Sequence, residues 1–501
     1  MSAGGLLKSM AMIGGAQSIT ILMGILRVKV VAVLLGPAGV GILGIYGNIL
    51  QTGAQLAGLG VGQSGVRQIA AARADAGTLA QVRRTLLLAN LVQGAAGMAA
   101  VWLLRRPISS LVFGDETRAF EVGLLGVGVF ASLLAASQTA LLQGMRRIPE
   151  LARIAIEGGA VGTAAGLLAV WLWGEPAIII LPLAAPVASV LAALRHTRRL
   201  PRPEPAPFDA AQTLDHWRQM LGLGVVFMSG GLLSGLALLA VRASLTRDFG
   251  VDAAGHFQAS WAITMQYVGF LLSAMGADYY PRLAAIINDR PAAARLVNEQ
   301  TAIALSLVGP AMAALIGLAP WVVTALYSAR FGPAVELLQW QTLGNVLKLS
   351  AWPLGYVIVA HARSGLFFAS QLAFNAVFVG FVALATPIMG LNGAGVAFVA
   401  AYCVHLALMR RLVGRLHDFR WERDAVRLLA MNLALGASVL LAARLDPLAG
   451  AAAGLAAAAV AAVAGARTIA RRIGPNGRLG AKLHRIFQRI GWPVARQGDD
   501  R

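Results

Sequence analysis

Four basic residues sit where a charge is costly. Arg27 and Lys29 lie inside one long apolar run, Arg242 inside another, and Lys348 midway through a third. A charge at the bilayer centre costs about 2.5–3.5 kcal/mol on insertion scales, so such a group is expected to face a wet cavity or a partner. Cations aimed at one cavity suit an anionic headgroup, and a diphosphate is the obvious candidate. Arg offers phosphate a planar, two-pronged fork; Lys offers a point charge. For Arg27 and Arg242 the alternative is snorkelling to the external interface, since each lies within about two helical turns of the end of its run. Lys348 is too central for that.

The other chemistry-bearing residues are sparse. Asp278 and Glu157 fall near the cytoplasmic ends of apolar runs, and Glu121 and Glu336 near the external ends. Interfacial solvation is the favoured reading for all four; Asp278 and Glu157 are kept as coupling or gating candidates. Amides (Gln258, Gln341, Asn345, Gln371, Asn375) and aromatics (Trp261, Tyr267, Trp340, Trp352, Tyr356) are the groups that sugar recognition would use. For any one of them, helix–helix contact is the more ordinary role. No catalytic residue is assigned. The seven His residues are scattered, there is no His-Glu-x-x-His, no phosphate-binding loop and no acidic cluster for a metal. Lone Cys403 excludes a disulfide framework and a thiolate metal site.

The elements that must position these residues are legible from composition. Of 501 residues, 58% are hydrophobic and 13% charged. Soluble domains carry about 25% charged residues, so too little polar surface remains for a water-soluble body. Fourteen apolar segments are each long enough to span a bilayer, near 10–34, 41–64, 85–104, 120–143, 154–173, 177–194, 222–246, 256–278, 299–327, 334–360, 366–386, 391–413, 427–443 and 448–466. Backbone groups in hydrocarbon must bond within their own segment, so the spans are predicted to be helices. Basic residues fall into every second loop: 32 of 42 on one side, six on the other and four inside spans. By the positive-inside rule both termini are expected in the cytoplasm. The same rule accounts for the net charge of +20 without nucleic acid. The external loops are all short, which leaves no external domain for enzymatic chemistry. The Gly58-Leu59-Gly60-Val61-Gly62 run is read as helical, where it would permit close packing.

The halves repeat. Ala38-Gly39 matches Ala254-Gly255, and Arg147 matches Arg363, both displaced by 216 residues; Arg67 after the second span matches Arg282 after the eighth, displaced by 215. An offset of six helices preserves orientation, which predicts a parallel repeat about an axis along the membrane normal. The expected organisation is therefore an N-terminal lobe at 1–200 and a Pro-rich cytoplasmic linker at 201–221. A C-terminal lobe follows at 222–415, then two appended helices within 416–466 and a basic cytoplasmic tail at 467–501. The last span is nearly all small residues, which suits close packing on a neighbouring helix. In the tail, Leu483, Ile486, Phe487, Ile490 and Trp492 approach helical spacing, consistent with lying on an anionic leaflet or with a solvated end.

The run Trp340-Gln341-Thr342-Leu343-Gly344-Asn345-Val346-Leu347-Lys348, continuing to Gly355-Tyr356, Ala360 and Ala362, resembles the Wzx-type flippases of O-antigen and enterobacterial common antigen, in the MOP exporter superfamily. Lys29 with the turn Leu35-Gly36-Pro37-Ala38-Gly39 is similar to the same family, as is Arg242 followed by Gly255, Gln258 and Tyr279-Tyr280-Pro281-Arg282-Leu283. The resemblance covers about 10–415. It implies an all-α membrane fold with two six-helix bundles around a central cavity. It also implies transport of an undecaprenyl-diphosphate-linked oligosaccharide, an O-antigen or related surface polysaccharide unit, to the periplasmic leaflet of the bacterial inner membrane by alternating access. Lys29, Arg242 and Lys348 are then cavity cations that bind substrate; Arg27 lacks that support. A polysaccharide polymerase and a chain-length regulator are implied partners. No cofactor is expected beyond proton or sodium coupling. Asn345 and Gln371 stand where the family often has acidic residues, so coupling through those positions would differ. The alternatives are a peptidoglycan-precursor flippase and a MATE-like small-molecule exporter. A cavity that binds cations should carry carboxylates, and the central charges here are basic.

Overall fold

The computed structural model describes residues 3–199, 209–473 and 477–489. Residues 201–208 of the expected linker, and Ile490 and Trp492 of the tail, lie outside them. The described residues are helical almost throughout. In chain order the helices are α1 Ala3–Gly58, α2 Val61–Ala71, α3 Ala76–Leu103, α4 Arg105–Phe113, α5 Ala119–Gly144, α6 Ile148–Trp173, α7 Ile180–Thr197 and α8 Ala210–Phe249. They continue as α9 Val251–Ile286, α10 Arg290–Leu326, α11 Pro333–Ala360, α12 Ser364–Met389, α13 Gly393–His417, α14 Arg423–Leu445, α15 Pro447–Ile473 and α16 Gly477–Arg489. Each of the fourteen expected apolar segments falls on these helices, and the chain is a multi-pass membrane protein. Among the described residues, ten stretches are long and apolar enough to cross a membrane by themselves. Two of those, at 45 and 54 residues, are long enough to cross twice.

The breaks have local causes. α1 turns at Gly36, whose φ of 69° and ψ of −161° suit only glycine, and Pro37 follows. The glycine run at 58–62 is not one continuous helix, contrary to expectation. Leu59 and Gly60 both adopt positive φ, and the chain restarts at Val61. A Cβ on Gly60 would stand 2.1 Å from the Gly224 carbonyl, so the run admits a backbone crossing from α8. Asp209 starts α8 by accepting hydrogen bonds from the Ala211 and Gln212 N–H groups at 2.9 and 3.2 Å. The second half of the expected linker, from Ala210, is thus the opening of α8.

The repeat is written in the turns. After α5, Arg146 has φ 57° and the Arg147 N–H reaches back to the Leu142 carbonyl. After α11, Ala362 has φ 55° and the Arg363 N–H reaches back to the Ile358 carbonyl. Both are helix ends closed through a left-handed residue. Gly174, at φ 69° and ψ −143°, and Gly390, at φ 60° and ψ −148°, each lead into a short 3-10 turn. These equivalent turns share the 216-residue displacement.

Two compact units form, Met1–Gln258 with Leu326–Arg330, and Ala259–Ala325 with Phe331–Arg501. In the first, α6 lies close on α7 along a glycine stripe. A Cβ on Gly158, Gly162 or Gly166 would meet Ser189, Ala185 or Leu181 at 2.2–2.5 Å. The opening of α8 docks on α2, where the Ser64 hydroxyl donates to the Met220 carbonyl at 2.8 Å. In the second unit, the small residues of α15 do pack closely on α10. A Cβ on Gly454 would lie 2.8 Å from Gly317 Cα, and one on Gly465 would lie 2.6 Å from the Ser306 carbonyl. Arg472 with Glu422 at 3.0 Å, and Arg444 with Glu336 at 2.8 Å, tie the appended helices at two further points.

Candidate functional site

Arg242 comes seven residues before the end of α8, about 10 Å along the axis. It does not snorkel. Only 4% of it is exposed, and it turns inward. Its Nη1 donates to the Gly44 carbonyl of α1 at 2.8 Å, and its Nη2 donates to Gln258 Oε1 of α9. Nε is buried with no partner among the described residues. The sequence allows this site because its neighbours are small. A Cβ on Gly44 would fall 2.8 Å from the Gln258 side chain, and one on Gly255 would fall 1.9 Å from the Pro37 carbonyl. The turn at Ala38-Gly39 therefore packs against its repeat counterpart at Ala254-Gly255. No described carboxylate lies within ion-pair distance of Arg242.

Lys29, on α1, donates from Nζ to the Tyr327 carbonyl at 2.6 Å. Tyr327 belongs to the five-residue segment Leu326–Arg330 that folds with the first unit. Arg27 is half-buried, with Nε enclosed and without a hydrogen-bond partner among the described residues.

In the second unit, Lys348 sits near the middle of α11 and is half-buried. Its Nζ donates to the Met265 thioether at 3.2 Å, a weak acceptor. No described carboxylate lies within ion-pair distance of it either. Asn345, one turn earlier, is 1% exposed and its Oδ1 has no partner among the described residues. Trp352 and Tyr356 follow Lys348 at i+4 and i+8, which puts a charge and two rings on one side of the helix. Tyr279 and Tyr280 of α9 join them. Ring centroids lie 4.7 Å apart for Trp352 and Tyr356, 5.8 Å for Tyr279 and Trp352, and 5.6 Å for Tyr280 and Tyr356. The Tyr279 hydroxyl donates to the Pro353 carbonyl at 3.0 Å. Two sequence motifs, Tyr279-Tyr280-Pro281 and Gly355-Tyr356, thus build one aromatic cluster. Trp261 instead stacks among Phe378 and Phe398, and the Tyr267 side chain lies outside those described.

The remaining candidates are dispersed. Asp278 is exposed and pairs with Arg282 at 3.1 Å. Glu157 meets His196 Nε2 at 3.2 Å. Gln371 is half-buried, and its backbone carbonyl accepts from Asn375 at 2.8 Å. Sequence reasoning did not foresee the acceptors that hold the cations, since a backbone carbonyl or a thioether leaves no compositional mark. Of them only Gln258 was visible, as an amide beside a motif.

The chain is similar to known membrane transporters. It is 25% identical over 401 residues to the Lipid III flippase of Escherichia coli (strain K12), covering 77% of this chain and 92% of the relative. The Lipid III flippase of Shigella flexneri matches equally. Among solved structures, the Lipid II flippase MurJ in an inward closed conformation aligns with a TM-score of 0.70 at 13% identity, covering 91% of this chain and 99% of that one. An inward-facing MATE family multidrug resistance transporter of the MOP superfamily aligns at 0.65 and 16%, covering 80% and 96%. These likenesses show that the chain shares the fold of MurJ and of the MATE transporter. The family described as "Polysaccharide biosynthesis protein" matches residues 30–336, more than half of the chain, and this protein belongs to it.

Proposed function

We propose that the protein is a flippase for a lipid-linked glycan. It moves an undecaprenyl-diphosphate-linked oligosaccharide, an O-antigen or related surface polysaccharide unit, from the cytoplasmic to the periplasmic leaflet of the bacterial inner membrane by alternating access. Both termini are cytoplasmic in this reading. The observation that carries it is the pair of intramembrane cations, Arg242 and Lys348, held only by neutral groups among the described residues. Removing a charge from water costs several kcal/mol unless it is paired, so two such cations are retained at a cost that binding an anion would offset. Lys29 and Arg27 add positive charge on α1. The aromatic cluster beyond Lys348 on α11 offers sugar rings a stacking surface next to a phosphate site. Export coupled to protons or sodium would use Glu157 beside His196 rather than exposed Asp278. The named relatives support the glycan-lipid class; a small-molecule exporter of cations would place carboxylates where these bases stand. The test is complementation. In a strain lacking the gene, the wild-type chain restores surface glycan, and Lys348→Met does not at equal protein level. Normal glycan in the strain lacking the gene, with no other transporter able to replace it, would refute the assignment.

A further inference from the structure

A small pocket of about 170 Å³ opens at the basic end of the first unit, between α3, α5 and α7. Arg83 of α3 lines it, as does Arg198, which closes α7 in helical conformation. Leu87 and Leu194 form its apolar side. Its polar floor is Ser137 and Gln138 of α5, which are 3% and 7% exposed. Gln138 Nε2 donates to the Ser137 hydroxyl at 3.2 Å, and that hydroxyl donates to the Leu134 carbonyl at 2.7 Å. The amide keeps a second hydrogen for a further acceptor. Among the described residues, no acidic side chain lines the pocket. Snorkelling alone sends each guanidinium separately to water. Here two cations from different helices border one pocket with a buried amide at its base. The volume is below the roughly 300 Å³ of sites for drug-sized ligands, so a headgroup fragment fits and an oligosaccharide does not.

The helices continue the pocket towards the membrane with leucines. On α3, Arg83, Leu87 and Leu91 recur at i, i+4 and i+8; on α7, Leu191, Leu194 and Arg198 recur at i, i+3 and i+7. Each cation therefore shares a helix face with two leucines. α3 starts at this end of the unit and α7 finishes at it, so on both helices the leucines lie further into the membrane than the arginine. Leu191 is 65% exposed. Paired cations at the water border, with apolar surface running inward from them, complement an anionic amphiphile. We infer that this pocket binds the phosphate of an anionic phospholipid of the surrounding membrane, at a site separate from the transported substrate. Arg83 and Arg198 take the phosphate oxygens, Gln138 donates to one of them, and an acyl chain lies along Leu91 and Leu191. Basic pockets between membrane helices take anionic headgroups in this manner. A zwitterionic lipid brings its own cation beside the phosphate and so complements two arginines less well. The inference stands beside the flippase reading and does not depend on it.

The test uses the purified full chain in detergent and mass spectrometry of the intact complex, with phosphatidylglycerol, phosphatidylcholine or inorganic phosphate as the probe. The wild-type chain is expected to retain phosphatidylglycerol about tenfold or more tighter than phosphatidylcholine. Arg83→Gln with Arg198→Gln should remove that preference. Arg410→Gln with Arg411→Gln removes the same charge from two exposed positions on α13 and should leave the preference in place. Leu87→Trp keeps both arginines and fills the pocket. It should also lose the bound lipid, which keeps the test decisive if the arginine double variant does not fold. Equal weakening by the two double variants, or equal binding of the two lipids by the wild-type chain, overturns the inference. Full retention of phosphatidylglycerol by Leu87→Trp, or its displacement by millimolar inorganic phosphate, overturns it too.

Discussion

Arg242→Met separates a functional cation from a structural one. In the folded protein the guanidinium donates to one carbonyl and one amide oxygen, both neutral. Hydrogen bonds from a charged group contribute about 1.5–3 kcal/mol each, so the pair is worth about 3–6 kcal/mol. Against it stands the cost of burying a cation without a counter-charge, which is several kcal/mol. The two terms nearly cancel. Met has similar length and no charge, and replacing buried ionic groups by apolar ones of similar volume is often neutral or stabilising by about 1–4 kcal/mol. The Gly44 carbonyl also keeps its intrahelical bonding, so little is orphaned beyond Gln258 Oε1. The expected outcome is an unchanged or raised melting temperature in detergent together with loss of surface glycan at normal protein level. A melting temperature several degrees lower, with glycan falling only in proportion to protein abundance, would show that Arg242 is there for the fold and would refute the reasoning.

Further outcomes follow from the same geometry. Gly255→Ala places a methyl 1.9 Å from the Pro37 carbonyl and should cost about 3 kcal/mol or more, read as loss of folded protein by size exclusion. Ala362→Gly relieves a left-handed alanine at φ 55° and should stabilise by about 1 kcal/mol in thermal unfolding. Tyr356→Ala removes the half-buried partner of Trp352; transport of the glycan-bearing lipid should fall by about tenfold or less, while undecaprenyl diphosphate without sugar moves as before. Asp75 caps α3, and hydrogen bonds from the Thr78 hydroxyl and the Thr78 and Gly77 N–H groups hold its carboxyl below the usual range. A depressed carboxyl stabilises the fold above its unfolded value and loses that contribution as pH falls through its folded value. Asp75→Asn should therefore flatten the acid side of the stability profile and leave the neutral side little changed in slope.

The fold was largely legible because its determinants are local. Each apolar run had to be a helix, and the helices are where the runs are. The repeat was legible in Arg147 and Arg363 as a shared spacing, yet the left-handed residue before each was not, since Arg and Ala at those positions carry no glycine signal. The break at Leu59-Gly60 escaped because glycine in an apolar run reads equally well as helix packing; only the approach of Gly224 from α8 decides it. At the site, the cations announced themselves by their cost. Their acceptors did not. The carbonyl held by Lys29 lies 298 residues away in sequence, and Met265 is chemically anonymous.

The most direct test measures movement itself. Purified protein in sealed vesicles is given a fluorescent undecaprenyl-diphosphate-linked oligosaccharide, and the rate at which it crosses is read by an external quencher. The wild-type chain should move it, and the Arg242→Met, Lys348→Met double variant, folded and inserted, should fall to the rate of protein-free vesicles. Crossing by the double variant at the wild-type rate would contradict the proposal that transport depends on these cations.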